Sequence, residues 1–187
     1  YHHGDLRRAL LAVGEQMLAE GGPGALTLRE AARRLGVSHN APSRPFPTRE
    51  ALLAALAAVG FEELGARTRA ASQAPGPADE AMIQRGLAYV GFALERPSLF
   101  RLMFSAEADR QAFPDLARAA DESLAGFRGA IARTYGRRQL PEVALAAWAV
   151  VHGLAMLLLD GQAAELRAGR TDLEAAEGAL RTMAHAM

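Results

Sequence analysis

Leu26-Thr27-Leu28-Arg29-Glu30-Ala31-Ala32-Arg33-Arg34-Leu35-Gly36-Val37-Ser38-His39-Asn40 is the stretch on which the fold turns. Thr27 and Glu30 stand at capping-box spacing, where a hydroxyl and a carboxylate satisfy the free amides of a helix start. The helix that follows is predicted to run to Leu35. Gly36 allows a tight turn, Val37 plugs the angle between two helices, and Ser38 is a good N-cap for the next. That third helix is predicted to be short, ending near Arg44.

Working outward, Leu6, Leu10, Val13 and Met17 recur at helical spacing until Gly21-Gly22-Pro23-Gly24 stops them. Downstream, Pro47-Thr48 opens a helix carrying Leu52, Leu53, Leu56, Val59, Phe61 and Leu64 to about Ser72. Ala74-Pro75-Gly76-Pro77 breaks it and marks the best internal boundary. Further helices are predicted over 78–95, 97–104, 113–135 and 141–159. The last begins at Thr171, with Glu174 as capping-box partner and Leu173, Ala176, Leu180, Met183 and Met187 on one face. No strand alternation occurs, so the chain is read as all-α with about nine helices: a three-helix domain over 1–47 and a helical bundle over 48–187, joined by the helix 48–72.

With 187 residues, half of them hydrophobic, the chain can bury a proper core. The absence of cysteine excludes disulfides, thiolate metal sites and a cysteine nucleophile. All 21 basic residues are arginine and 21 acids balance them, so any nucleic-acid site has to be local. In 1–50 the arginines Arg7, Arg8, Arg29, Arg33, Arg34, Arg44 and Arg49 face Asp5, Glu15, Glu20, Glu30 and Glu50, a mildly basic segment. The polar start Tyr1-His2-His3-Gly4-Asp5 does not look like a signal peptide. Residues 143–159 are almost continuously apolar but interrupted by His152 and Gly153, and are read as a buried helix of a soluble, cytoplasmic protein, not a membrane span.

Two short helices joined by a glycine turn, the second opening on polar residues, fit a helix-turn-helix that reads a DNA major groove. Ser38 and the amides behind it can meet a phosphate. His39 and Asn40 are placed to read base edges, Asn being suited to adenine. Arg44 and Arg49 would clamp phosphates, and Thr27 and Thr48 could add backbone contacts to their helix capping. Spacing alone leaves open that Gly36-Val37-Ser38 merely joins two packed helices.

The ordered run Leu6-Arg7-Arg8-Ala9-Leu10-Leu11, Gly21-Gly22, Leu26-Thr27-Leu28-Arg29-Glu30-Ala31-Ala32, Leu35-Gly36-Val37-Ser38, Phe46-Pro47-Thr48-Arg49-Glu50-Ala51-Leu52-Leu53 resembles the tetracycline-repressor (TetR/AcrR) family. Trp148-Ala149-Val150-Val151-His152-Gly153 resembles the branch of that family with a Trp, His and Gly signature. The resemblance implies a DNA-binding domain fused to a dimerising helical domain, in which a small-molecule effector releases a palindromic operator. The sequence departs from the family where a tyrosine, usually a phosphate contact, is matched by Ser43. Pro45 biases Arg44 away from helical geometry, so the recognition helix is expected to end early. These departures define the alternative: a same-fold small-molecule-binding protein with weakened or lost DNA binding.

In the C-terminal half, Tyr89, Phe92, Phe100, Met103, Phe104, Phe127, Trp148, His152 and Met156 are candidates to line a site for a largely apolar effector, with His152 or Tyr89 as the orienting polar group. Core packing explains each of them singly as well. The helix 141–159 is apolar nearly all round, so with the one-faced final helix it suggests a two-fold four-helix interface in a homodimer. No triad, phosphate loop or metal-ligand spacing appears, and no enzyme, cofactor or metal is expected. His152 with Asp160, Ser105 with Glu107, and His2-His3 form no recognisable site.

Overall fold

The computed structural model describes residues 3–73, 77–136 and 140–186, so the break at Ala74-Pro75-Gly76, His2 and Met187 lie outside the described residues. Eight α-helices and one 3-10 turn follow in order: α1 (His3–Ala25), α2 (Leu28–Leu35), η1 (Ala41–Ser43), α3 (Arg49–Ala71), α4 (Ala78–Glu95), α5 (Pro97–Met103), α6 (Pro114–Tyr135), α7 (Leu140–Leu159) and α8 (Asp172–Ala186). Among the described residues there is no strand, and the fold is all-α. The chain divides into two compact units, one of Tyr1–Phe61 with Arg96–Ala120, the other of Glu62–Glu95 with Asp121–Met187. Helices α3 and α6 each contribute to both.

In the first unit Leu10, Val13, Met17 and Leu18 bury one face of α1. The helix breaks where its sequence demands it, at Gly21 and at Gly22, whose φ of 68° and ψ of −173° no residue with a side chain adopts readily. Leu26, Ala31, Ala32, Phe46, Leu52, Leu53 and Leu56 complete the core from the following elements. Helix α5 packs on α1. The Arg96 guanidinium, just before α5, pairs with Glu15 of α1.

The second unit is built on α4, which packs against both α7 and α8. Ile83, Tyr89, Val90, Phe92 and Ala93 of α4, Val151, Ala155 and Leu158 of α7 and Ala176 of α8 are buried. Thr171 and Glu174 make the reciprocal capping box at the start of α8: Glu174 N donates to Thr171 Oγ1 at 3.3 Å and Thr171 N to Glu174 Oε2 at 2.8 Å.

The reading of 143–159 as a buried helix needs correction within the single chain. Helix α7 is long and apolar enough to cross a membrane, with mean hydropathy 1.9, yet only 22% of its apolar window is buried within the chain. Leu145 is 65% exposed and Leu157 44%. On α8, Leu173 and Met183 are likewise exposed. Helix α7 packs on α4 and, less extensively, on α8, and its outward stripe of Leu145, Ala146, Ala149 and Leu157 is exposed.

Candidate nucleic-acid interface and regulatory site

Helix α2 starts as its sequence dictates. Thr27 is extended (φ −131°, ψ 147°) and its hydroxyl accepts from Glu30 N at 3.1 Å. Only half of the predicted capping box forms, because the Glu30 carboxylate turns forward to Arg33 at 2.7 Å and Arg34 at 3.0 Å. These two guanidiniums hold Glu30 down to a pKa of about 2. Arg34 also reaches Glu20 at 2.7 Å and ties α2 to the end of α1. At the other end Gly36 is left-handed (φ 65°, ψ 26°), which lets its own amide and that of Val37 close on the carbonyls of Arg33 and Ala32.

The expected third helix is not an α-helix. Residues 41–43 form a single 3-10 turn with Pro42 inside it, flanked by turns at 39–40 and 44–45. Two prolines within four positions remove the donors that α-helical bonding from 42 and 45 would need. Arg44 nevertheless keeps right-handed geometry (φ −77°, ψ −50°), so the proline rule for its predecessor does not set the local shape. Asn40, not Ser38, occupies the N-cap, and it makes no side-chain capping bond. A three-residue turn sums too few peptide dipoles to attract a phosphate by its macrodipole, so the role assigned to Ser38 as helix N-cap has to be carried by its hydroxyl and local amides alone.

Ser38, His39, Asn40, Ser43 and Arg44 are all exposed. Buried Pro42 and Phe46 pin the segment from beneath, and Arg7 lies over the Phe46 ring at 5.3 Å. Ser43 Oγ donates to Asn40 O at 2.6 Å, which commits its proton to the backbone and leaves its oxygen as an acceptor. Thr48 caps α3 by accepting from Ala51 N at 3.1 Å.

Arg49 is only partly available. Its Nε donates to Leu26 O at 3.0 Å, and its Nη2 to Pro23 O at 2.7 Å and to Glu107 at 2.9 Å. The guanidinium thus holds the α1–α2 loop on the start of α3, and Nη1 lies 3.6 Å from Glu50. Arg29, absent from the sequence-based candidates, is exposed on the first turn of α2, and like Arg44 it has no ion-pair partner among the described residues. Its distinguishing signal was negative: Glu30 neutralises Arg33 and Arg34 on the same helix and leaves Arg29 out.

The effector candidates fall into both units. Phe100, Met103 and Phe104 belong to the first, where Phe104 meets Phe61 edge-on at 5.4 Å and Phe100 at 5.1 Å. Tyr89, Phe92, Phe127, Trp148, His152 and Met156 belong to the second. There Tyr89 and His152 Nδ1 are 2.8 Å apart, and Trp148 hydrogen bonds to the Tyr89 hydroxyl. An indole N–H can only donate, so Tyr89 accepts from Trp148, while the direction of its bond to Nδ1 follows the imidazole tautomer. Trp148 and His152 stand one helical turn apart on α7 and clasp the same hydroxyl of α4. Burial pushes Tyr89 well above the ordinary phenol range, and pushes His152 below its usual value. A cavity of about 230 Å³ lies elsewhere in the unit, lined by Leu158, Leu159, Gly161, Ala163, Ala164, Arg167 and Asp172.

Arg85, which sequence reading passed over, is 5% exposed on α4. Desolvation, with Arg133 and Arg69 nearby, pushes it down to about 10, so it remains a cation at neutral pH. Among the described residues no group of His, Asp and Glu is arranged to hold a metal.

A capped helix, a left-handed glycine turn and an exposed polar segment, in a chain whose second half is a helical bundle, define a helix-turn-helix regulator. Residues 10–56 match the model of bacterial regulatory proteins of the tetR family, and residues 82–183 that of the tetracyclin repressor-like C-terminal domain. The chain belongs to the TetR family and is a DNA-binding transcriptional regulator. It is similar to a protein of unknown function from Rhodococcus sp. RHA1, with 35% identity, TM-score 0.85 and coverage of 100% of this chain and 97% of that one. In fold it is similar to the TetR-family regulator PfmR of Thermus thermophilus (16% identity, TM-score 0.71, 94% and 97% covered). It also shares the fold of AmtR of Mycobacterium smegmatis (19%, 0.63, 95% and 86%). No curated protein matches the sequence.

Proposed function

We propose that this regulator is a cytoplasmic repressor that binds a palindromic operator as a homodimer and is released by a small, largely apolar effector. The observation that carries the reading is the outward face of α7 and α8, where Leu145, Leu157, Leu173 and Met183 stand in water. Burying a leucine is worth about 1.5–3 kcal/mol, so a two-fold copy of the same face is strongly favoured as its cover. Small Ala146, Ala149 and Gly153 at the centre of the α7 stripe let two such helices approach closely.

Dimerisation supplies two reading segments for the two halves of a palindrome. His39 and Asn40 are assigned to base edges, and Ser38, Thr27, Thr48, Ser43, Arg44 and Arg29 to the phosphate backbone. Arg49 acts mainly by positioning, since most of its donors hold backbone carbonyls. In the second unit, Tyr89, Trp148 and His152 offer a polar handle within apolar walls that include Phe92, Phe127 and Met156.

Release is the test. A duplex recovered by selection should bind two chains, and compounds that raise the melting temperature of the free protein should weaken that complex. One chain per duplex would overturn the two-fold reading. Stabilising compounds that leave the complex unchanged would overturn release.

A further inference from the structure

Arg85 is buried and has no carboxylate partner among the described residues, while the guanidinium nitrogens that make no hydrogen bond keep contact with solvent. Nη1 makes two long hydrogen bonds, to Thr68 O at 3.4 Å and Ser72 Oγ at 3.3 Å. Nε and Nη2 donate to no group among the described residues, and no carboxylate there pairs with Arg85. The stretches 74–76 and 137–139 contain no Asp or Glu. Its charged neighbours, Arg69 and Arg133, have its own sign. A buried cation in this state is costly, and proteins normally pair it.

Nη1 by itself has a plain structural explanation: Thr68 O lies in the last turn of α3, where cations favour helix carbonyls. That leaves the Nε–Nη2 edge facing solvent, and this edge is the fork that grips two oxygens of a carboxylate or phosphate side by side. Gly126 of α6 faces it. A Cβ at 126 would lie 3.7 Å from Nη2, in ordinary contact with it, so the glycine leaves that nitrogen uncovered on this side. Glycine inside a helix costs about 1 kcal/mol relative to alanine. On α4, Tyr89 and Phe92 follow Arg85 at four- and seven-residue spacing and are buried with it, so apolar side chains border the charged head.

We infer that Arg85 anchors an oxyanion site in the second unit, and that the effector is an organic acid whose carboxylate or phosphate group docks on its Nε–Nη2 edge. The inference rests on the effector reading above and gives that effector its chemical class.

Thermal shift on the full chain without DNA tests it, using benzoate, phenyl phosphate, inorganic phosphate, benzyl alcohol and benzylammonium as probes. Benzoate or phenyl phosphate should raise the melting temperature by several degrees, while the alcohol and the ammonium homologue do not. The arms also separate the two acids from each other and from inorganic phosphate. Arg85→Met should abolish the shift while leaving the unliganded protein no less stable, because it removes an unpaired charge. Gly126→Ala, which keeps Arg85 and favours the helix, should lose most of the shift by filling the space at Nη2. Equal response to neutral and anionic probes, or a full shift in either variant, would overturn the site. Because no duplex is present, a null result here leaves operator binding and release standing, and failure of the operator assay leaves this result standing.

Discussion

Arg49 in the first unit and Arg85 in the second are both drawn back from solvent, and they are treated in opposite ways. Arg49 is met by two backbone carbonyls and the Glu107 carboxylate. Arg85 is met by one carbonyl and one hydroxyl at long range, with like charges beyond. The contrast extends to whole units. In the helix-turn-helix the charges of Glu30, Arg33, Arg34 and Arg49 are consumed in fixing backbone geometry, and what remains exposed, from Ser38 to Arg44, is available to DNA. The second unit leaves one face of an apolar helix exposed and, among the described residues, a largely buried cation without a carboxylate, and the proposed dimer and effector rest on these two features.

The largest test of that contrast is at the uncovered helix. Leu145→Glu with Leu157→Glu should convert a dimer to monomers in sedimentation and reduce operator affinity on the order of 100-fold or more, since the second half-site then contributes nothing. A charged pair that leaves the dimer intact would place the interface elsewhere. Next comes Arg49. Arg49→Ala leaves two carbonyls short of a donor and should cost about 1–3 kcal/mol in urea unfolding, whereas Arg85→Met should cost little. Equal losses would erase the distinction between a cation that is used and one that is held in reserve.

A smaller effect concerns pH. His152 is half-buried beside Tyr89, and burial disfavours the imidazolium and lowers its pKa. The unfolded chain takes up the proton near the ordinary value of 6.5, and the folded chain only at lower pH. Between those values the unfolded state binds more protons, so stability falls as pH drops through 6.5 and the loss ends below the folded value. His152→Gln should flatten the melting-temperature profile from about pH 7.5 to about pH 5.5 relative to wild type; identical profiles would contradict the linkage. Smallest of all, Thr27→Ala should cost about 1 kcal/mol by removing an N-cap acceptor. Thr171→Ala should cost somewhat more, because its box is reciprocal where that of Thr27 is not.

Much of this is legible in the sequence because the relevant forces are local. Glycine pairs, prolines and Thr-x-x-Glu spacing set helix limits within a residue or two from α3 to α8. The recognition segment is harder. Pro42 by itself is harmless at a helix start, but with Pro45 three residues on, it leaves room for one 3-10 turn only. Charge partners are harder still, since they depend on contacts distant in sequence: Arg49 has the position of a phosphate clamp, and only the fold places Pro23 O, Leu26 O and Glu107 around it. Arg85 looks like any helix-surface arginine, although its phase with Tyr89 and Phe92 gives notice that it points inward. For α7, hydropathy reports what avoids water and not which chain provides the cover, so the sequence supports both a buried helix and a partner surface there.

The central claim is that the exposed segment from Ser38 to Arg44 reads DNA as one half of a two-fold pair. Selection of the full-length protein on a randomised duplex library at two salt concentrations tests it most directly, run for wild type, Asn40→Ala and Arg44→Ala. Wild type should enrich a palindrome whose affinity falls steeply with salt, Asn40→Ala should change the base preference, and Arg44→Ala should bind uniformly more weakly with a shallower salt slope. No enriched sequence at low salt, or an unaltered preference in Asn40→Ala, would contradict it.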